Sequence, residues 1–190
     1  MSEQVDLLDA VLTKTAALLA ATPAGTRSQP TPCPGFDVEG LVDHLATWMA
    51  TFAESAAGSP PPGTTTDASW PEPEAERFRV AARHAVDAFR DGAEERSLTL
   101  TSGPVPGSMV LGMMLMEYVG HGWDLAVATG QPVPFVDAEA EAALAAGRQM
   151  LSPEYRGPDK SFGHEIPVPA EAPAVDRLIG FLGRSPAGTG

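Results

Sequence analysis

The residues best suited to chemistry lie in one stretch, where the chain reads Met-Glu-Tyr-Val-Gly-His-Gly-Trp-Asp-Leu-Ala from Met116 to Ala126. On a helix turning about 100° per residue, Glu117 and His121 stand about 40° apart and one turn from each other. A carboxylate and an imidazole so placed face the same point and can chelate one ion. Asp124 returns to the same stripe, close in angle to Glu117 and one turn beyond His121. There it can orient an imidazole from behind or serve as an extra ligand. Met113, Met114 and Leu125 share the stripe, so it faces the core. A buried Glu needs a cationic partner, and residues 97–147 contain no Lys or Arg. A metal ion is the simplest cation to supply.

A second imidazole is available at His44, which lies among Leu41, Leu45 and Trp48 on the inward stripe of another predicted helix. Two neutral imidazoles and one carboxylate with an open position form the ligand set of a catalytic zinc site. The same set suits iron(II), and residue type does not separate nickel or manganese from either. The competing account makes His44 and His121 hydrogen-bonded core histidines and Glu117 the partner of an arginine from the third helix.

These residues need a scaffold, and helical spacing of apolar residues supplies one. The first helix spans about residues 2–21, with Leu8, Val11, Leu12, Leu18 and Leu19 near one face, and ends towards Pro23-Ala24-Gly25. The turn Thr31-Pro32-Cys33-Pro34-Gly35-Phe36-Asp37 follows, with Asp37 placed to cap the next helix. That helix runs over about 38–57 with Leu41, His44, Leu45, Trp48 and Phe52 on one stripe. Residues 58–71 form a polar, Pro/Gly-rich connection, read as a linker with a lid as the alternative. A third helix covers about 73–91 and packs Phe78, Ala82, Ala85 and Phe89. Residues 97–101 alternate as an extended segment. The fourth helix follows Pro104-Val105-Pro106-Gly107 and stops near Thr129, where Gly130 is suited to a left-handed cap. A fifth helix, about 137–151, is rich in alanine and acids, and a last short one spans about 175–182. The expected fold is an all-α four-helix bundle with a short extra helix and an extended C-terminal tail. It forms one domain over 1–190, with core 1–151 and tail 152–190 packed over the bundle.

Composition narrows the function. The 190 residues carry 25 acids against 12 bases, a formal charge of −13, which opposes binding to nucleic acid or to anionic membrane surfaces. The acids near the N-terminus are unlike a secretory signal, and no apolar run reaches the roughly 18 residues of a membrane span. A cytoplasmic protein is expected, as monomer or homodimer. The single cysteine, Cys33, excludes an internal disulfide framework.

Other candidates read more simply as structure. Cys33, between Pro32 and Pro34, is expected to be a small packed thiol, with a nucleophile as the alternative. His84, beside Arg83 and among Arg77, Arg79 and Arg90, belongs to a solvated face. His164 is expected to be an exposed tail histidine, the alternative being a proton shuttle or fourth ligand. Trp48 and Trp123 pack near the proposed ligands, and Tyr118, 100° round the helix from Glu117, faces elsewhere.

The segments TPCPGFDVEGLVDHL (31–45), EYVGHGWDLAVATGQP (117–132) and FGHEIPVPAEAPAVDRLIGFLGRSP (162–186) resemble the DinB-like superfamily. The similarity is to its actinobacterial branch, which contains the N-terminal domain of mycothiol-dependent maleylpyruvate isomerase. The resemblance implies a four-helix core holding a divalent metal, usually zinc, through His44, Glu117 and His121. It further implies a low-molecular-weight thiol, mycothiol, bound as thiolate for S-transfer or isomerisation of a small electrophilic substrate. Those isomerases carry a separate C-terminal domain that this chain replaces with a short tail, so the fold and metal are expected to carry over further than the reaction. The alternatives are a non-catalytic metal or small-ligand-binding protein and a metal-dependent hydrolase.

Overall fold

The computed structural model describes residues 2–58, 73–101, 103–158 and 160–186. Most of the proposed linker, residues 59–71, lies outside them. Six helices follow in order: α1 (Glu3–Ala20), α2 (Val38–Ala56), α3 (Glu74–Arg90), α4 (Gly107–Thr129), α5 (Asp137–Met150) and α6 (Ala174–Phe181). Their ends sit where local chemistry stops the chain. The Asp37 side chain accepts a hydrogen bond from the Gly40 N–H at 2.8 Å and opens α2. Gly130 closes α4 at φ 68°, in the left-handed conformation glycine adopts most readily.

α4 is the axis of the molecule. It packs on α1, α2 and α5, while α3 closes the bundle against α1 and α2. Accordingly it is buried on almost every side, with Val110, Leu111, Met114, Leu115, Tyr118 and Leu125 all inaccessible. Leu8 and Leu12 of α1, Leu41, Leu45 and Met49 of α2, and Phe78 of α3 meet it in a continuous core. Burying each such side chain contributes about 1.5–3 kcal/mol, and together they fix the rotation of α2 and α4 about their axes. Tyr118 stands between Phe52 and Phe78, with ring centroids 6.3 and 5.3 Å away.

The extended segment near residue 97 is half of a hairpin. β1 (Ser97–Leu100) pairs antiparallel with β2 (Gly103–Pro106), setting Ser97 opposite Pro106. The hairpin delivers the chain to α4 at Gly107, where a Cβ would lie 2.0 Å from the Ala93 carbonyl oxygen. Alternation of Leu98 and Leu100 signals one strand, but the proline-rich partner strand has no such pattern.

The acidic α5 is less solvated than its composition implies. Glu139 is 2% exposed, held by Lys14 of α1 at 2.6 and 2.7 Å, and it accepts the Val136 N–H at the head of its own helix. Beyond α5 the tail folds back over the bundle. α6 packs on α5, and Leu182 covers Gly120 of α4, where a Cβ would approach it to 2.8 Å. Among the described residues no helix is long and apolar enough to cross a membrane.

Candidate metal centre

The packing of α2 on α4 brings His44, Glu117 and His121 to one place. His44 Nε2 lies 2.7 Å from Glu117 Oε1, and His121 Nε2 lies 3.6 Å from the same oxygen. One donor atom from each residue falls within 4.8 Å of the others. Donors about 2.0 Å from a tetrahedral ion stand about 3.3 Å apart, so the three side chains form a group that could hold a divalent cation. All three are partly shielded, with side-chain exposures of 22%, 21% and 12%.

Phe36, from the turn before α2, lies over both imidazoles, with ring centroids 4.9 Å from His44 and 6.0 Å from His121. Trp48 adds an edge at 6.3 Å from His44. Trp123 is buried in the core cluster. Together Phe36 and Trp48 give the imidazoles an apolar wall, which lowers the local dielectric and limits water.

Behind His121 stands a second, fully buried layer. His121 Nδ1 is 3.0 Å from Asp124 Oδ2, and Asp124 is gripped in turn by Arg184 of the tail. The guanidinium Nε donates to both carboxylate oxygens at 3.1 and 3.2 Å, and one terminal nitrogen donates to Oδ2 at 2.8 Å. Asp124 is 0% and Arg184 7% exposed. Cys33, also buried, lies with His121 and Asp124 in a second group of potential donors that shares His121.

These contacts set the charges. Burial opposes ionisation of Glu117, yet the charge of His121 and the hydrogen bond with His44 outweigh it and hold the carboxyl below its ordinary range. Burial likewise opposes the His121 cation, but Glu117 and hydrogen bonds to Asp124 and Cys33 prevail and push it up to about 10. Asp124 is lowered despite burial by its bonds to His121 and Arg184. The imidazole of His121 thus lies between the carboxylates of Glu117 and Asp124, which both favour its protonated form.

Two members of this cluster are silent in the sequence. Arg184 is 60 residues from Asp124, and only its place after Gly183, a left-handed glycine at φ 86° ending a short apolar helix, hints that the chain reverses towards the bundle there. Cys33 has no base near it in sequence and gains His121 as a neighbour only through the fold. His84 and His164 are both exposed, and neither joins a group of potential donors among the described residues. It also pairs Glu117 with His44, whereas Arg79 of α3 pairs with Glu76 and Arg90 with Asp9.

Glu117 and His121 border a cavity of about 10 Å³ that Phe162, Leu182 and Arg184 of the tail also line. That is roughly the space of one water.

The helical architecture around this centre is that of a DinB-like bundle. The chain belongs to the family described as mycothiol maleylpyruvate isomerase N-terminal domain, whose model matches residues 8–126. It is also similar to two uncharacterised proteins of Mycobacterium tuberculosis, one from strain CDC 1551 / Oshkosh and one from strain ATCC 25618 / H37Rv. Each is 34% identical over 170 residues, covering 90% of this chain and 91% of the relative. No solved structure matches the chain.

Proposed function

We propose that His44, Glu117 and His121 hold a divalent metal, zinc foremost, and that the centre serves thiol-dependent transfer or isomerisation on a small electrophile. The observation that carries this reading is the convergence of two imidazole Nε2 atoms on one carboxylate oxygen, with the cavity alongside. When bound, such an ion lowers the pKa of a coordinated thiol or water and so supplies a nucleophile near neutral pH. The chain's own residues do the rest. His44 and His121 offer neutral nitrogens from two helices, Glu117 balances charge, Asp124 fixes the His121 ring through Nδ1, and Phe36 excludes water from one side. The family's description favours mycothiol as the thiol.

A second reading, a metal-binding protein without turnover, is supported by the small cavity beside the ligands, about 10 Å³, roughly the space of one water. Metal analysis of purified protein beside His44→Ala and His121→Ala tests the centre. Stoichiometric zinc in wild type and its loss from both variants is expected, and a metal-free wild type overturns it. Incubation of the zinc-loaded protein with mycothiol and monochlorobimane separates the two readings. Conjugation above the uncatalysed rate supports the enzyme, and its absence at full occupancy leaves the binder.

A further inference from the structure

The ion pair between Arg184 and Asp124 closes a relay that starts in the tail and ends at a proposed metal ligand. An imidazole that donates Nδ1–H to a carboxylate presents its Nε2 lone pair on the opposite side, and His121 has this geometry, with Asp124 at Nδ1 at 3.0 Å, a terminal Arg184 nitrogen farther off at 3.4 Å, and Glu117 on the Nε2 side. Asp124 can hold the ring only if it is itself held. Arg184 occupies both of its oxygens, and a further Arg184 nitrogen donates to the Leu182 carbonyl at 3.2 Å. The guanidinium is therefore anchored to the tail on one side and to α4 on the other.

The tail segment behind Arg184 is built to stay closed. Gly183 and Gly163 meet backbone to backbone, so that a Cβ on Gly183 would lie 2.8 Å from the Gly163 α-carbon. Ile166 N–H donates to the Gly180 carbonyl at 2.9 Å, and Arg156 donates to the Phe181 carbonyl at 2.7 Å. The same segment supplies Phe162 and Leu182 over the cavity at Glu117. One piece of chain thus carries both the cover of the site and the cation that locks its rear layer.

We propose that Arg184 is a positioning residue which, through Asp124, orients His121 for metal binding, so that docking of residues 162–184 and binding of the metal strengthen each other. The inference rests on the metal reading above. It makes a prediction opposite in sign to plain electrostatics. A guanidinium near a metal repels it, so removing the charge alone would tighten binding; removing an orienting partner weakens it, typically about 10- to 100-fold for groups behind a ligand. Because linkage is reciprocal, the metal must also stabilise the closed tail.

The test uses the metal-stripped full chain, titrated with zinc in competition with a chromophoric chelator, together with hydrogen exchange of the tail amides with and without zinc. Arg184→Met is expected to weaken zinc binding about 10- to 100-fold, and Arg184→Lys is expected to fall between it and wild type. Asp124→Asn/Arg184→Met, which leaves no buried charge unpaired, is expected to bind no more weakly than Asp124→Asn alone. Zinc is expected to slow exchange over residues 162–184 in wild type. Equal or tighter binding by Arg184→Met, a double variant clearly weaker than Asp124→Asn, or tail exchange indifferent to zinc overturns the relay. Should Arg184→Met not fold, the double variant and the exchange measurement decide. A wild type that binds no zinc instead overturns the metal reading, and the relay with it.

Discussion

Asp124 and Arg184, both buried, form a forked ion pair between the central helix and the tail, with three hydrogen bonds of 2.8 to 3.2 Å. Asp124 also receives His121, so one carboxylate joins the candidate metal centre to the segment that covers it.

Zinc binding should release a proton. In the metal-free protein the His121 ring is protonated up to about pH 10, whereas a ligand imidazole must be neutral. At pH 7.5, calorimetric titration in buffers of different ionisation enthalpy should show close to one proton released per zinc. An enthalpy independent of buffer would contradict this.

The same shift gives the metal-free protein a pH-dependent stability. The folded state holds a proton on His121 that the unfolded chain, with its ordinary histidine value of 6.5, gives up earlier. The resulting stabilisation is complete below about pH 6.5 and is lost as pH rises through about 10. Thermal unfolding of chelator-treated protein should show Tm falling between pH 7 and 10, with a steeper slope than in His121→Gln.

Gly183→Ala should loosen the tail while sparing the bundle. The residue has φ 86°, and its new Cβ would press on the Gly163 backbone, a cost of about 1–3 kcal/mol. Faster exchange or proteolysis confined to residues 162–184 is the expected readout, and an unchanged pattern would show that the backbone contact is not restrictive.

Lys14→Met leaves Glu139 buried without its cation. Breaking a buried pair costs about 3–5 kcal/mol, and because the Lys14 side chain is 27% exposed, a loss of about 2 kcal/mol in denaturant unfolding is expected after allowing for solvent screening. Lys14→Met/Glu139→Gln should recover part of it. A double variant as unstable as the single would place the cost elsewhere.

Much of this architecture was legible in the sequence because the helices announce themselves locally. Leu8, Leu12, Leu41, Leu45 and Phe78 follow helical spacing and all are buried, and Asp37 and Gly130 mark helix ends through chemistry that acts over a few residues. Glu117, His121 and Asp124 could be placed on one stripe because they share one helix. Partners drawn from distant segments could not. Arg184 reaches Asp124 across 60 residues and Lys14 reaches Glu139 across 125, and neither distance leaves a periodic trace. The β2 strand was hidden for another reason, since Gly103, Pro104 and Pro106 carry no strand alternation and pair only because the hairpin turn holds them opposite β1.

The family match ends at residue 126, just past Asp124, while the charge that balances Asp124 arrives from residue 184. The family model and this ion pair therefore draw different borders on the chain, although the two mycobacterial relatives align over 170 of its residues. A fragment trimmed to residues 8–126 would contain every proposed ligand and keep His121 beside Asp124, yet lack the guanidinium that grips Asp124 from the tail. The chain carried through Arg184 is the one that holds both layers of the centre.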